Sequence, residues 1–151
     1  MQHQFITLKQ SRKLISKLIE NFSIEQLNNI PTGFKNNIAW NIAHLMVTQQ
    51  LLCYKLSGLP CLISDEMIQK YQKGTAPNKT ISIDEFNTIK ELFLNLPDKL
   101  EIDYVEGIFK EYNKYTTSVN ITLNSIEEGI SFNNYHEGIH LGIILQLVKF
   151  V

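Results

Sequence analysis

Apolar residues recur at three- and four-residue spacings through most of this chain, and this period constrains the fold more than any other feature. Breaks rich in proline, glycine or asparagine interrupt it at residues 31–33, 58–60, 74–77 and about 113–120. The sequence therefore predicts an all-α protein, a four-helix bundle with short extra helices. The four main helices are predicted over about 4–21, 37–57, 82–96 and 122–150, and the short ones after Ser23 and Ser64.

Local signals mark where several of these helices begin and end. Ser23 and Ser82 each open a capping-box pattern, and Gly58 is a typical residue just beyond a helix C-terminus. Pro97 is expected to end or kink its helix, because the proline ring removes a hydrogen-bond donor. Residues 100–121 are ambiguous, since their first half could be helical and Tyr115 to Thr122 could be extended. Strand patterns are too few to build a sheet of any size.

Size, charge and hydropathy exclude several classes of protein. A length of 151 residues is typical of one domain, so we expect a single helical domain over residues 1–151. The net charge is −1, and no basic run is longer than Arg12-Lys13, so nucleic-acid binding is not expected. The N-terminal residues lack the features of a secretory signal, and no segment approaches the length of a membrane span.

The two cysteines give little evidence of chemistry. Cys53 and Cys61 form neither a C-x-x-C pair nor a disulfide framework, so we expect a cytoplasmic, reducing location. Cys53 lies on the opposite side of its helix from His44 and should not share a site with it. Cys61, beside a proline in a loop, could be a reactive thiol, but an ordinary, partly buried cysteine is the favoured interpretation.

Three of the four histidines fall on inward-facing helix stripes. His136 and His140 are four residues apart, on a stripe with apolar neighbours, so both imidazoles can reach one ion. His44 lies on a similar stripe of another helix. Three neutral imidazoles would leave positions open on a metal ion, as in catalytic sites, so the pattern predicts a divalent metal site. His3, near the terminus, is expected to be a surface residue.

Of two other interpretations of these histidines, the first stays open and the sequence argues against the second. The imidazoles could be core groups whose hydrogen bonds are satisfied by neighbouring polar side chains. The His136-Glu137-x-x-His140 spelling also suggests a zinc peptidase with Glu137 as general base. Residues 141–151 contain no third ligand, however, which argues against a peptidase. Glu137 is therefore only a weak catalytic candidate, and solvent or a helix interface is its expected environment.

Trp40-x-x-x-His44, followed far along the chain by His136-x-x-x-His140, resembles the DinB/YfiT-like family. The resemblance implies an up-down-down-up four-helix bundle and a homodimer. It also implies that His44, His136 and His140 are ligands of a divalent metal ion, nickel or zinc. Relatives include S-transferases that use low-molecular-weight thiols such as bacillithiol or mycothiol, and a thiol-dependent maleylpyruvate isomerase.

The leading hypothesis is a metal-dependent enzyme acting on a small molecule, either a thiol-dependent S-transferase or a hydrolase. The metal would act as a Lewis acid that activates a thiol cosubstrate or a water. The alternatives are a non-catalytic binding or dimerisation module and a metal-stabilised stress-response protein without turnover. Residues 58–81 and 97–120 match no known pattern, and we expect them to shape the mouth of the site.

Overall fold

The computed structural model describes residues 1–151, and helices are its main secondary structure, as predicted. A π-helical turn at Leu51–Lys55 directly continues one helix, and a two-stranded hairpin precedes the last. No helix is both long enough and apolar enough to cross a membrane. The elements are α1 (Gln2–Leu18), α2 (Ile24–Asn28), α3 (Ile38–Gln50), α4 (Asp65–Tyr71), α5 (Ile83–Val105), β1 (Tyr115–Thr116), β2 (Thr122–Leu123) and α6 (Ile126–Leu147).

The four long helices pack as a bundle in which α1 and α3 each contact both α5 and α6. α3 is buried along almost its whole length, because it is apolar on most sides and is also covered by α2 and α4. The predicted four-helix core with short extra helices is thus present. The up-down-down-up order of helix directions stays a prediction of the family resemblance.

Serine residues cap several of the helices. The start of the last helix differs from the sequence prediction. Ser23 forms the complete capping box with Gln26, whereas Ser82 accepts only the backbone N–H of Glu85. The last helix begins at Ile126 rather than at Thr122, so the earlier start was wrong. The reason is that Thr122 is paired with Thr116 in the hairpin, and Ser125 caps the helix instead.

Pro97 does not end α5, which continues to Val105, so the expected helix end was wrong. A proline at this position leaves the carbonyl of Phe93, four residues earlier, without its helical donor. The Arg12 side chain on α1 replaces that donor, with Nη1 at 2.8 Å from the Phe93 oxygen. The break in the hydrogen-bond ladder is therefore repaired from a neighbouring helix.

Arg12 joins all four bundle helices from a position with no solvent exposure. On α6, its Nη2 and Nε donate to Glu137 Oε1 at 2.7 and 3.1 Å. On α3, Nη2 donates to the carbonyl oxygen of Leu45 at 3.4 Å. The guanidinium also lies 4.6 Å from the centre of the Phe93 ring. Four hydrogen bonds and a cation–π contact thus compensate the cost of burying this charge.

Two other segments of the chain contact the π turn after α3. The Tyr112 hydroxyl donates to the carbonyl oxygen of Leu52 at 3.0 Å. Gly129 on α6 makes room for this contact, since a Cβ there would lie 2.6 Å from the Tyr112 hydroxyl oxygen. π turns are rare and concentrate at functional sites. This one contributes Leu51, Leu52 and Lys55 to the lining of a cavity.

Replacing Arg12 with leucine should lower the free energy of unfolding by about 3–5 kcal/mol, because Glu137 would remain buried without its counter-charge. A second change, Pro97→Ala, should recover about 1 kcal/mol in this background, since an alanine N–H can bond to the Phe93 carbonyl. Urea unfolding of the two single variants and the double variant measures the coupling. Strictly additive effects would show that Arg12 does not replace the donor missing at Pro97.

Candidate metal centre

His44 on α3 and His136 and His140 on α6 converge inside the bundle. One ring nitrogen from each lies within 4.8 Å of those of the other two. The ring centres are 4.5 Å apart for the two α6 histidines, and 5.1 and 4.8 Å from His44 to His136 and His140. The helical spacing accounts for the α6 pair, and the packing of α3 against α6 brings in the third ring.

Hydrogen bonds fix the tautomers of two of these rings. Nδ1 of His44 lies 2.7 Å from the carbonyl oxygen of Tyr71, which can only accept, so this nitrogen carries the proton. Nδ1 of His140 lies 2.7 Å from Asn41 Oδ1. The Asn41 amide nitrogen donates to a backbone carbonyl at 2.7 Å, which identifies Oδ1 as the acceptor. Nε2 of both rings is therefore unprotonated, the form in which imidazole binds metals, and on His44 the Thr48 hydroxyl lies 3.4 Å from this nitrogen.

The third ring, His136, has a buried nitrogen without a partner. Its Nδ1 is shielded from solvent and makes no hydrogen bond. An unused buried polar atom costs free energy unless a further group satisfies it. Three imidazoles with no carboxylate or thiolate among them form a donor set suited to zinc or nickel. The residues present therefore fit a divalent transition-metal ion.

The environment keeps the three imidazoles neutral near pH 7. Burial, followed by the proximity of the other two rings, lowers the pKa of His136 to about 3. Burial and the neighbouring His44 lower the pKa of His140 to about 4. The pKa of His44 is also lowered by burial, against a smaller opposing effect of its bond to Tyr71. Neutral imidazole is the metal-binding form.

The contacts of Trp40 explain why a tryptophan lies four residues before His44. Its ring stacks on the His44 ring, with centres 4.6 Å apart and planes 9° from parallel. Its Nε1 donates to Thr75 Oγ1 at 3.2 Å, and that hydroxyl donates to the carbonyl oxygen of Gln72 at 2.8 Å. Trp40 thus covers one face of His44 and fixes the segment whose Tyr71 carbonyl orients the same ring.

A cavity of about 330 Å³ adjoins His44 and His136. Its inner wall comes from the end of α3, the π turn and α6. The remaining lining residues come from the segment after α4 and from the hairpin region, so residues 58–81 and 97–120 both contribute to the lining. Their role at the mouth of a site stays a prediction. The lining residues are His44, Thr48, Leu51, Leu52, Lys55, Leu56, Gln72, Lys73, Tyr115, Thr117, Ser118, Phe132 and His136.

Glu137 lies at a helix interface rather than in solvent. Its side chain is 1% exposed and forms the ion pair with Arg12, so of the two predicted environments the interface is confirmed and solvent is wrong. It is not a member of the three-histidine group. A catalytic role for Glu137 stays a prediction.

His3 and the two cysteines have the environments that the sequence predicts. His3 is exposed, and Cys53 is fully buried, with burial raising its pKa to about 12. Cys61 is partly buried, and burial raises the pKa of this thiol as well, which favours an ordinary cysteine over a reactive one. Sequence reasoning missed Asn41, although its position on the His44 stripe marked it as inward-facing. It also missed the Tyr71 carbonyl, a backbone group that leaves no sequence signal.

In protein freed of metal, stability should fall as pH drops below the ordinary histidine pKa of 6.5. The lowered pKa values mean that the unfolded chain binds protons first, so the stability is complete above pH 6.5 and is lost toward pH 3–4. The loss is about 1.4 kcal/mol per pH unit for each such histidine. Urea unfolding between about pH 7 and about pH 5.5 should show a shallower decline for His136→Gln. Equal slopes for wild type, His136→Gln and a surface control, His3→Gln, would contradict this.

Comparison with known proteins identifies the family of this chain. The family model described as the DinB superfamily matches residues 7–144, a range that includes all three clustered histidines. A search of curated proteins finds no significant match. Because the family model covers most of the chain, the protein belongs to the DinB superfamily.

Proposed function

We propose that His44, His136 and His140 bind one divalent metal ion, nickel or zinc, and that the protein is a metal-dependent enzyme. The observation that carries the proposal is the convergence of three neutral imidazoles beside a cavity large enough for a small molecule. A buried His136 nitrogen without a hydrogen-bond partner supports it. Family membership is compatible with a metal-dependent protein.

The surrounding residues would hold the ligand rings in place. Asn41 and the Tyr71 carbonyl each accept a hydrogen bond from the Nδ1–H of a histidine, which directs Nε2 toward the shared centre. Trp40 covers one face of His44 and limits the access of water from that side. The Thr48 hydroxyl lies 3.4 Å from His44 Nε2, to which it can donate, and it lines the cavity next to the rings.

The reaction that we favour is transfer of a low-molecular-weight thiol to an electrophilic small molecule. The thiol would lose its proton to solvent, its sulfur would form a bond to the electrophilic carbon, and the leaving group would depart with the electrons of its bond. A bound divalent ion acts as a Lewis acid that lowers the pKa of a thiol or of a water. The choice of a thiol over hydrolysis comes from the family resemblance.

The proposal also includes a homodimer and a cytoplasmic location. Three exposed apolar side chains on the outer face of α6, Tyr135, Ile139 and Leu145, offer a surface that a second copy would cover. Both cysteines are free thiols, as a reducing compartment requires.

Tag-free protein, stripped with a chelator and reconstituted with nickel or zinc, should retain about one ion per chain after desalting. His136→Ala should lose this ion, and His3→Ala, which removes the one histidine outside the cluster, should keep it. Elemental analysis by mass spectrometry measures the content. The absence of bound metal in the wild type would contradict the proposal.

The same samples separate an enzyme from its rivals. Metal-loaded wild type should accelerate the reaction of thiols such as bacillithiol, mycothiol or cysteine with a chromogenic electrophile, and His136→Ala should not. Bound metal without turnover against thiol or ester panels would favour the metal-stabilised stress-response protein. No metal and no turnover would favour the non-catalytic binding or dimerisation module.

A further inference from the structure

Two lysines line the cavity beside the three histidines, and no acidic residue does. Lys55 ends the π turn, and Lys73 lies in the segment after α4. None of the thirteen lining residues is Asp or Glu. The cavity therefore carries two positive charges that its own wall does not neutralise.

Neither ammonium group has a partner elsewhere in the structure. Lys55 and Lys73 form no ion pair and no side-chain hydrogen bond. Both side chains are exposed to solvent. Most lysines of the chain likewise form no ion pair. Lys9, Lys70 and Lys99 are each paired with a carboxylate. The two cavity lysines are thus free to bind an anion.

The rest of the wall is suited to the body of an organic molecule. Leu51, Leu52, Leu56 and Phe132 supply apolar surface, and Thr117 and Ser118 supply hydroxyl groups near the hairpin. A volume of about 330 Å³ lies at the lower end of the usual range for small-molecule pockets. The lining contains no arginine, so its two lysines act as point charges without a bidentate fork. The apolar wall favours an organic anion over an inorganic one.

We propose that the cavity binds a small organic carboxylate, with its anionic group at Lys55 and Lys73 and its apolar body against Leu51 and Phe132. Such a molecule would lie in the cavity that His44 and His136 also line. This inference deepens the proposed function, because it names the substrate class of the same site. Binding of the carboxylate by the lysines does not itself require a metal.

The test compares two probes of nearly equal shape, 4-phenylbutyrate and the neutral 4-phenylbutyramide. Binding is followed by amide NMR shifts in zinc-supplemented protein and in chelator-treated protein. The carboxylate should bind about three- to tenfold more tightly than the amide, the effect expected of two exposed charge pairs. Raising the salt concentration from about 0.05 M to about 0.5 M should remove most of this preference.

Substitutions identify the source of the preference. The double variant Lys55→Met with Lys73→Met should bind both probes equally. Lys13→Met with Lys17→Met, which removes two exposed lysines of α1 outside the cavity, should keep the wild-type preference. Equal binding of the two probes by wild type, binding of neither, or an unchanged preference in the Lys55/Lys73 variant would each overturn the inference.

The design separates this inference from the metal proposal. If the lysines bind the carboxylate but no metal is retained in the elemental analysis, the zinc-supplemented and chelator-treated samples give the same preference. The anion site then stands without the metal site. If metal is retained but the preference is absent, the metal site stands, and the carboxylate assignment fails.

Discussion

The arrangement of the bundle depends on the charge of Arg12, which is buried where the four long helices meet. Its guanidinium donates to a carbonyl on α3, a carbonyl on α5 and a carboxylate on α6. Two of these partners, Leu45 and Glu137, directly follow His44 and His136 in the sequence. The contacts that satisfy the buried charge therefore also fix the backbones that carry the clustered histidines. A core made only of apolar contacts would specify that relative position less strictly.

The clustered histidines and the cavity mouth come from structurally different parts of the chain. The histidines project from long helices, and their rings are oriented by Asn41 and by the Tyr71 carbonyl. The outer wall comes from the segment after α4 and from the hairpin. Ligand positions on rigid elements favour a fixed geometry, whereas loops can vary in sequence without disturbing the core. We therefore expect substrate selection to reside in the mouth and metal binding in the helices.

Much of this arrangement could be predicted from helical periodicity. The inward positions of His44, His136 and His140 follow from their stripes, and the capping box at Ser23 marked a true helix start. The convergence of two helices on one centre was not derivable from periodicity alone, since it depends on how α3 packs against α6. The resemblance supplied that step, and the structure places the rings together.

The wrong predictions at Pro97 and Thr122 have a common cause. In each case a group from another segment of the chain supplies a hydrogen bond that local sequence does not reveal. Pro97 remains inside a helix because a side chain from α1 reaches the carbonyl that it leaves unpaired. Sequence reasoning also missed that Arg12 is buried, although the apolar period of α1 passes through position 12, because its partners lie on other helices. Thr122 was assigned to the last helix, yet a cross-strand partner holds it extended. Such partners cannot be identified from one segment of sequence.

Anomalous diffraction would show whether the three histidines share one metal ion. Crystals of protein loaded with zinc or nickel would be measured at the absorption edge of that metal. We expect one strong anomalous peak per chain, about 2.0–2.1 Å from a ring nitrogen of each of His44, His136 and His140. A peak at another position, or none at the cluster despite bound metal, would contradict this expectation.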